Sequence, residues 1–456
     1  MTEHDSPDAA QPDSPRSVDR QILALAVPAL GALVAEPLLL IVDSAMVGHL
    51  GTDSLAGLAI AQAVLMTIVG VCVFLAYATT AATARLVGAG ERGRGIRAGI
   101  DGIWLAIGLG VILAVGLLLG GPALAGALGA SGEVASEAIT YLRASAFGLP
   151  GMLVVLAATG TLRGLLDTRT PLYVAAGGAA TNAVLNAVLI YGLDLGIMGS
   201  GLGTSLAQLG MGAVLALVVV RGAREADVPL TPSGLGVLAS ARAGLPLFVR
   251  TLSLRAAILA TVAVATALGP ARLAAHQVTN SIWSLAAFAL DAIAIAAQAL
   301  VGQALGRGDA SAVRRLVARC LRWGILGGLA IGLVIAAASP LLVRIFTTDP
   351  GVRTAAIWCL VVAGAFMALA GLVYVLDGLL MGAGDGTFLA WAGLLNLVVY
   401  LPAAWAVVTF APAGNWGLVW LWIAFAGVFM GARGVVTYVR SRGTRWMVLG
   451  AERDGA

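Results

Sequence analysis

Eight stretches of this chain run for 19 residues or more without a charged side chain, and the last, 386–432, runs for 47. Such stretches cannot form a soluble surface. They match a bilayer core, which takes about 20 apolar residues per spanning helix. The runs fall at 54–84, 102–132, 144–162, 170–193, 195–220, 323–343, 354–376 and 386–432. The last is too long for one span, and the APAGN segment at 411–415 supplies the turn that divides it. Further apolar spans near 21–47, 244–269 and 275–303 bring the expectation to twelve. The fold class is therefore an all-α integral membrane protein, with the lipid bilayer as solvent.

Only 11% of the 456 residues are charged and 60% are hydrophobic, where a soluble domain carries roughly 25% charge. That balance excludes a cytosolic enzyme, a nucleic-acid binder and a disordered regulator. The formal charge of +4 reports topology instead. All basic residues are Arg. With the N-terminus inside, twenty fall in loops and tails of the cytoplasmic side, Arg163 and Arg85 among them, and four outside. Both termini are thus expected in the cytoplasm of a plasma or inner membrane protein. Residues 1–19 read as a disordered tail rather than a signal peptide. Cys72, Cys320 and Cys359 all lie in apolar stretches and do not form a disulfide framework.

The chain repeats itself at an offset of 218: Leu50-Gly51 and Leu55-Ala56 recur as Leu268-Gly269 and Leu273-Ala274, and Gly164-x-x-Asp167 recurs as Gly382-x-x-Asp385. Leu86-Val87-Gly88 recurs as Leu300-Val301-Gly302, slipped by four. Six spans per half is an even number, so both halves enter the membrane from the same side. That makes a parallel repeat with a cavity between two six-helix lobes. The expected organisation is a tail at 1–19, an N-lobe at 20–221, a cytoplasmic linker at 222–243, a C-lobe at 244–440 and a cytoplasmic tail at 441–456.

An ionisable residue inside a span is costly and needs a reason. Span 1 holds Glu36 and Asp43, seven apart and on one helical face, together with Pro28 and Pro37, each of which removes a backbone hydrogen bond. Span 1 reads as a hinge carrying two acids, with Glu36 directed to a substrate cavity. Asp43 sits about a turn from the outer end of its helix, where dipole and burial both act against an anion, which suits proton exchange. The competing reading has Asp43 capping the span and facing external water. Asn182 and Asn186 form an i,i+4 pair on span 5, and Thr204 lies on span 6. They are expected either to partner the Asp43 carboxylate or simply to hydrogen-bond between helices. In the second half Arg255 and Asp291 lie at matching depths on consecutive spans, as do Arg250 and Asp377, so two structural ion pairs are expected. No enzyme motif and no metal-ligand or cofactor-binding pattern occurs; His49 and His276 lack metal-ligand spacing.

The segments PLLLIVDSAMVGHLGTDSLAGLAIA (37–61), GTLRGLLDTRTPLYVA (160–175) and LDGLLMGAGDGTFL (376–389) resemble the multidrug and toxic compound extrusion (MATE) transporters, the first two most closely the DinF-like branch. The resemblance covers roughly 20–440. It implies twelve helices in two lobes that rock between outward- and inward-facing states, driven by H+ or Na+ influx, and small organic, cationic or amphipathic substrates. Asp43 matches the family's span-1 acid, Pro28 its kink proline, and Asn182 and Thr204 polar residues of its N-lobe cation site. Asn186 stands where several relatives carry a second carboxylate, which weakens a Na+ site and leaves Asp43 as the lone proton carrier. The family's span-7 acid has no counterpart here. The expected function is an antiporter that works as a monomer without a cofactor, H+ or Na+ being the coupling ion. The rival within the superfamily is a lipid-linked precursor flippase, disfavoured because no basic cluster is visible in the first-half core.

Overall fold

The computed structural model describes residues 15–412 and 414–451, and its regular structure is entirely helical. The N-lobe comprises α1 (Pro15–Gly48), α2 (Thr52–Cys72), α3 (Phe74–Gly88), α4 (Arg92–Ala127), α5 (Gly132–Ala146), α6 (Leu149–Gly164), α7 (Arg169–Asn186) and α8 (Gly196–Glu225). The C-lobe comprises α9 (Gly234–Ala267), α10 (Pro270–Gly306), α11 (Ala310–Phe346), α12 (Pro350–Ala365), α13 (Met367–Gly382), α14 (Gly386–Phe410), α15 (Asn415–Trp422) and α16 (Met430–Arg442). Single π-helical turns extend α7 (Ala187–Gly192) and join α15 to α16 (Ile423–Phe429). Ten apolar segments are long enough to cross a membrane, α2 with α3 counting as one, and α15 with α16 as another. The pairs α5–α6 and α12–α13, each bent by 52°, bring the number to twelve among the described residues.

The repeat is written into the backbone. Left-handed residues that close loops recur 218 apart: Gly51 with Gly269, Gly90 with Gly308, Leu166 with Gly384, and Gly196 with Gly414. Leu166, at φ 63°, occupies a conformation its repeat partner fills with glycine, at a cost of about 1–2 kcal/mol. The repeated acids do different work. Asp167 accepts from the backbone N–H groups of Arg169 and Thr170, both at 3.0 Å, and so caps α7. Asp385 is instead paired with Arg440 at 2.7 Å.

The two lobes meet at the face that carries the described chain ends. There α3 crosses α10 with no side chain at Gly88 and Gly306. A Cβ on Gly88 would lie 2.1 Å from the Gln303 carbonyl oxygen, and one on Gly306 would lie 2.0 Å from that of Arg85. Arg85 and Gln303 are themselves 218 apart, so this crossing lies on the pseudo-twofold axis. The equivalent of Gly88 is therefore Gly306, and the slipped pairing with Gly302 is corrected. Gln298 donates to the Tyr77 carbonyl at 2.9 Å and Gln303 to that of Gly164 at 3.1 Å. One core unites the N-lobe with the nearby half of the C-lobe, while the far half of the C-lobe packs as a core of its own. The lobes are thus joined at the terminal face, and the far half of the C-lobe shares no core with the N-lobe.

Three expected boundaries move. Helix α1 starts at Pro15, so residues 15–19 are helix, not tail. Asp19 there accepts from Arg319 Nε at 2.5 Å and Trp323 Nε1 at 2.7 Å; residues 1–14 lie outside the described residues. The linker shrinks to 226–233, because nothing breaks the helices on either side and Ser233 caps α9 by accepting from the Gly236 N–H at 3.2 Å. Residues 443–451 fold back onto the lobe junction instead of trailing away. Trp446 is buried there, and Arg85 donates to the carbonyls of Gly450 (2.8 Å), Ala383 (3.2 Å) and Val448. Residues 452–456 of the expected tail lie outside the described residues.

Candidate functional site

Helix α1 keeps both Pro28 and Pro37 inside one continuous helix, and Asp43 follows Pro37 on it by six residues. Asp43 is fully buried, at 0% exposure. Four uncharged groups from four other helices donate to its carboxylate. Asn186 Nδ2 of α7 (2.9 Å) and Ser200 Oγ of α8 reach Oδ1; Gln62 Nε2 of α2 (3.2 Å) and Tyr141 Oη of α5 (3.2 Å) reach Oδ2. No cation pairs with it among the described residues. The reading in which Asp43 faces external water is overturned by this burial.

Asn182 and Thr204 do not touch the carboxylate, which corrects the expectation that they partner it directly. They form a second layer: Asn186 Nδ2 also reaches Asn182 Oδ1 (3.3 Å), Asn182 Nδ2 donates to Thr204 Oγ1 (3.3 Å), and Thr204 Oγ1 shares a hydrogen bond with Tyr141 Oη (3.4 Å). The α-helix loosens into its π turn immediately after Asn186, a feature common at functional sites. Sequence reasoning missed Gln62, Tyr141 and Ser200. Ser200 was within reach, since it lies one helical turn before Thr204 on the same face, and Gln62 is a lone amide in an uncharged run.

The C-lobe holds no copy of this site. The repeat positions of Asp43 and Asn182 are Thr261 and Tyr400, whose hydroxyls lie 2.6 Å apart, with Phe425 and Phe429 against the Tyr400 ring. An acid and an amide are replaced by two hydroxyls packed among aromatics. Among the described residues the carboxylate site therefore exists once.

Other charges lie deeper. Asp377 Oδ2 is held by Arg250 at 2.6 Å and by Arg433 at 2.5 Å, all three buried; Arg433 escaped the sequence reading because it follows a long uncharged run. The expected Arg255–Asp291 pair does not form. Arg255 Nη2 lies over the bare backbone of Gly70 on α2, where a Cβ would come within 2.2 Å. Asp291 instead lines a cavity of about 210 Å³ between α1, α3, α6, α7 and α8, together with Glu36 and Arg163. Equal depth placed Arg255 and Asp291 at one level, but α9 and α10 present them on different faces. Arg163 is also not a loop residue, and the first-half core does contain a cation. Among the described residues no cluster of three His, Cys, Asp or Glu is placed to hold a metal ion.

Twelve spans in two repeat-related lobes, joined at one face and enclosing a buried carboxylate in one lobe, define a multi-pass transporter of the two-lobe type. The MatE family model matches residues 28–188 and again 246–406, the same offset that relates the loops. The chain belongs to the MatE family of multidrug efflux transporters, whose members move small organic compounds across membranes and are not enzymes. Protein DETOXIFICATION 44, chloroplastic, of Arabidopsis thaliana is 30% identical over 445 residues, covering 93% of this chain and 84% of the relative. The DNA damage-inducible protein F of Escherichia coli is 28% identical over 439 residues, 92% of this chain and 91% of that one. A probable multidrug resistance protein NorM of Bradyrhizobium diazoefficiens is 28% identical over 435 residues, 90% of each chain. A MATE structure in a bent conformation superposes with a TM-score of 0.85 at 23% identity, covering 93% of this chain and 95% of that one. An outward-facing multidrug-resistance MATE transporter superposes at 0.83, also at 23% identity and with the same coverage.

Proposed function

We propose that the chain is an antiporter that exports small cationic or amphipathic organic compounds in exchange for H+, with Na+ as the alternative coupling ion. The observation that carries this reading is Asp43: a buried carboxylate held only by neutral donors, with Thr261 in the equivalent place of the other lobe. A proton neutralises such a group at no cost in space, and either neighbouring hydroxyl can turn to accept it. A Na+ ion prefers oxygen ligands. Here Asn186 offers its amide N–H to Asp43, and the second carboxylate of a cation cage is missing.

The Arg bias puts the terminal face in the cytoplasm of a plasma or inner membrane. The lobes, joined on that side, then stand open to the outside. Pro28 and Pro37 give α1 two missing backbone hydrogen bonds, and so a place to bend as Asp43 gains or loses its proton. Asn182 and Thr204 hold Asn186 and Tyr141 in donor orientation. Glu36 faces the cavity, and Arg250 with Asp377 locks the C-lobe. A monomer suffices, since the site and both lobes lie in one chain.

A flippase for lipid-linked precursors would need a group of cations for the diphosphate. The cavity contributes one, Arg163, with Asp291 beside it.

The test is flux in proteoliposomes under imposed pH or Na+ gradients. Asp43→Asn is expected to abolish coupled efflux and leave folding nearly intact. Normal gradient-driven transport by the purified variant refutes the reading.

A further inference from the structure

The cavity between α1, α3, α6, α7 and α8 contains charges that the carboxylate site does not use. Its wall is mostly apolar and N-lobe in origin, with Leu33, Val69, Met152 and Val174 among its residues. Arg163, in the last turn of α6, reaches into it and is 9% exposed. Glu36 and Asp291 line the same space. Among the described residues none of the three has a side-chain hydrogen bond or an ion pair within 4.0 Å.

A buried guanidinium without an ion pair is expensive, and a functional role is the first reading to test. The cavity brings Asp291 and Arg163 to one space. Yet the two come from different lobes: Arg163 from α6 of the N-lobe and Asp291 from α10 of the C-lobe. In this structure, closed at the terminal face, Asp291 offsets Arg163. Parting of the lobes at that face would carry Asp291 away with α10 and leave Arg163 in the cavity with only Glu36, from its own lobe, as an acid.

We propose that Arg163 binds the carboxylate of a zwitterionic amphipathic substrate, and that Asp291 displaces that carboxylate when the terminal face closes. Glu36 takes the substrate's ammonium end. The inference rests on the export reading and gives it a direction. Affinity for the carboxylate is high with the terminal face open, where substrate is loaded, because Asp291 no longer competes for Arg163 there. Affinity falls on closure, as the cavity opens to the other side, because Asp291 competes for the guanidinium. Export requires that order.

The probes are para-aminomethylbenzoate and its methyl ester, which share the ammonium group and nearly the same size but differ in the carboxylate. Equilibrium dialysis with the full chain should show the acid binding on the order of tenfold tighter than the ester. Arg163→Gln should bring that ratio to about one by weakening the acid alone, and Arg163→Lys should keep most of it. In proteoliposomes Asp291→Asn should lower both KM and kcat for the acid and leave the ester unchanged. Tetraethylammonium, a cation with no anionic group, is the control: Arg163→Gln should still transport it, at least as well as wild type, because a cation loses only repulsion there. Equal binding of acid and ester by wild type, or an undiminished preference in Arg163→Gln, overturns the proposal while tetraethylammonium transport keeps the export reading standing. If wild type transports no tetraethylammonium under any gradient, the export reading itself falls.

Discussion

Replacing Asp377 with leucine leaves two guanidinium groups, Arg250 and Arg433, facing one another without a counter-ion. The three side chains are 8%, 6% and 4% exposed for Arg250, Arg433 and Asp377 in turn, so solvent cannot take over the lost partner. Breaking a buried pair by removing one partner costs about 3–5 kcal/mol, and Asp377→Leu breaks two pairs that share a single oxygen. Arg433→Met is a milder change. It removes one charge-assisted hydrogen bond, worth about 1.5–3 kcal/mol, and leaves Arg250 and Asp377 as a neutral pair. Arg433 also lies over the rings of Phe429 and Tyr374, at 5.5 and 5.9 Å, and methionine replaces that contact only in part. The predicted order of stability is therefore wild type, then Arg433→Met, then Asp377→Leu. The assay is thermal unfolding of detergent-solubilised protein followed by fluorescence-detected size exclusion, with yield of the monodisperse peak as a second readout. The triple variant Arg250→Met, Asp377→Leu, Arg433→Met should recover most of the loss, because no charge is then stranded. Asp377→Leu protein as stable as Arg433→Met would refute the idea that the carboxylate holds both arginines.

The other predictions concern the carboxylate site and the lobe junction. Ser200→Ala and Tyr141→Phe each remove a direct donor to Asp43 and should slow gradient-driven transport on the order of tenfold. Asn182→Ala and Thr204→Ala, acting through one intermediary, should cost less, and the reverse ranking in a flux assay would contradict the two-layer geometry. Asn186→Asp places a second carboxylate beside Asp43 and should raise the sensitivity of transport to Na+; a Na+ titration matching the parent would disprove the missing-ligand argument. Gly88→Val drives a side chain into the Gln303 backbone at the lobe crossing and should shift the population toward separation at the terminal face. Spin labels on Arg92→Cys and Arg307→Cys would report this as a longer interlobe distance, and an unchanged distribution would count against the crossing as the closure point.

Legibility differed between fold and site for physical reasons. A helix in lipid must bury its own hydrogen bonds and show an apolar surface. Each span therefore announces itself as an uncharged run, and turn residues such as Gly51 and Gly269 mark where the runs end. Asp43 was legible on the same principle, since a carboxylate in a span always needs an account. Its donors were less so, because Gln62, Tyr141 and Ser200 are ordinary residues until five helices converge.

What the sequence determined by itself is the lipid environment, the twelve spans, the 218-residue repeat and the one acid worth following. All of these follow from residue type and spacing along a single chain. Tertiary structure decided which charges meet. Depth can be counted from helix rise, and it put Arg255 level with Asp291. The direction of a side chain depends on the rotation of its helix and on its neighbours. Those set Arg255 on Gly70, joined Arg433 to Asp377, drew Arg163 from an apparent loop into the cavity, and brought Asp291 to it from the other lobe. A charge in the membrane must find a partner or a cavity, and only the packed lobes determine which it finds.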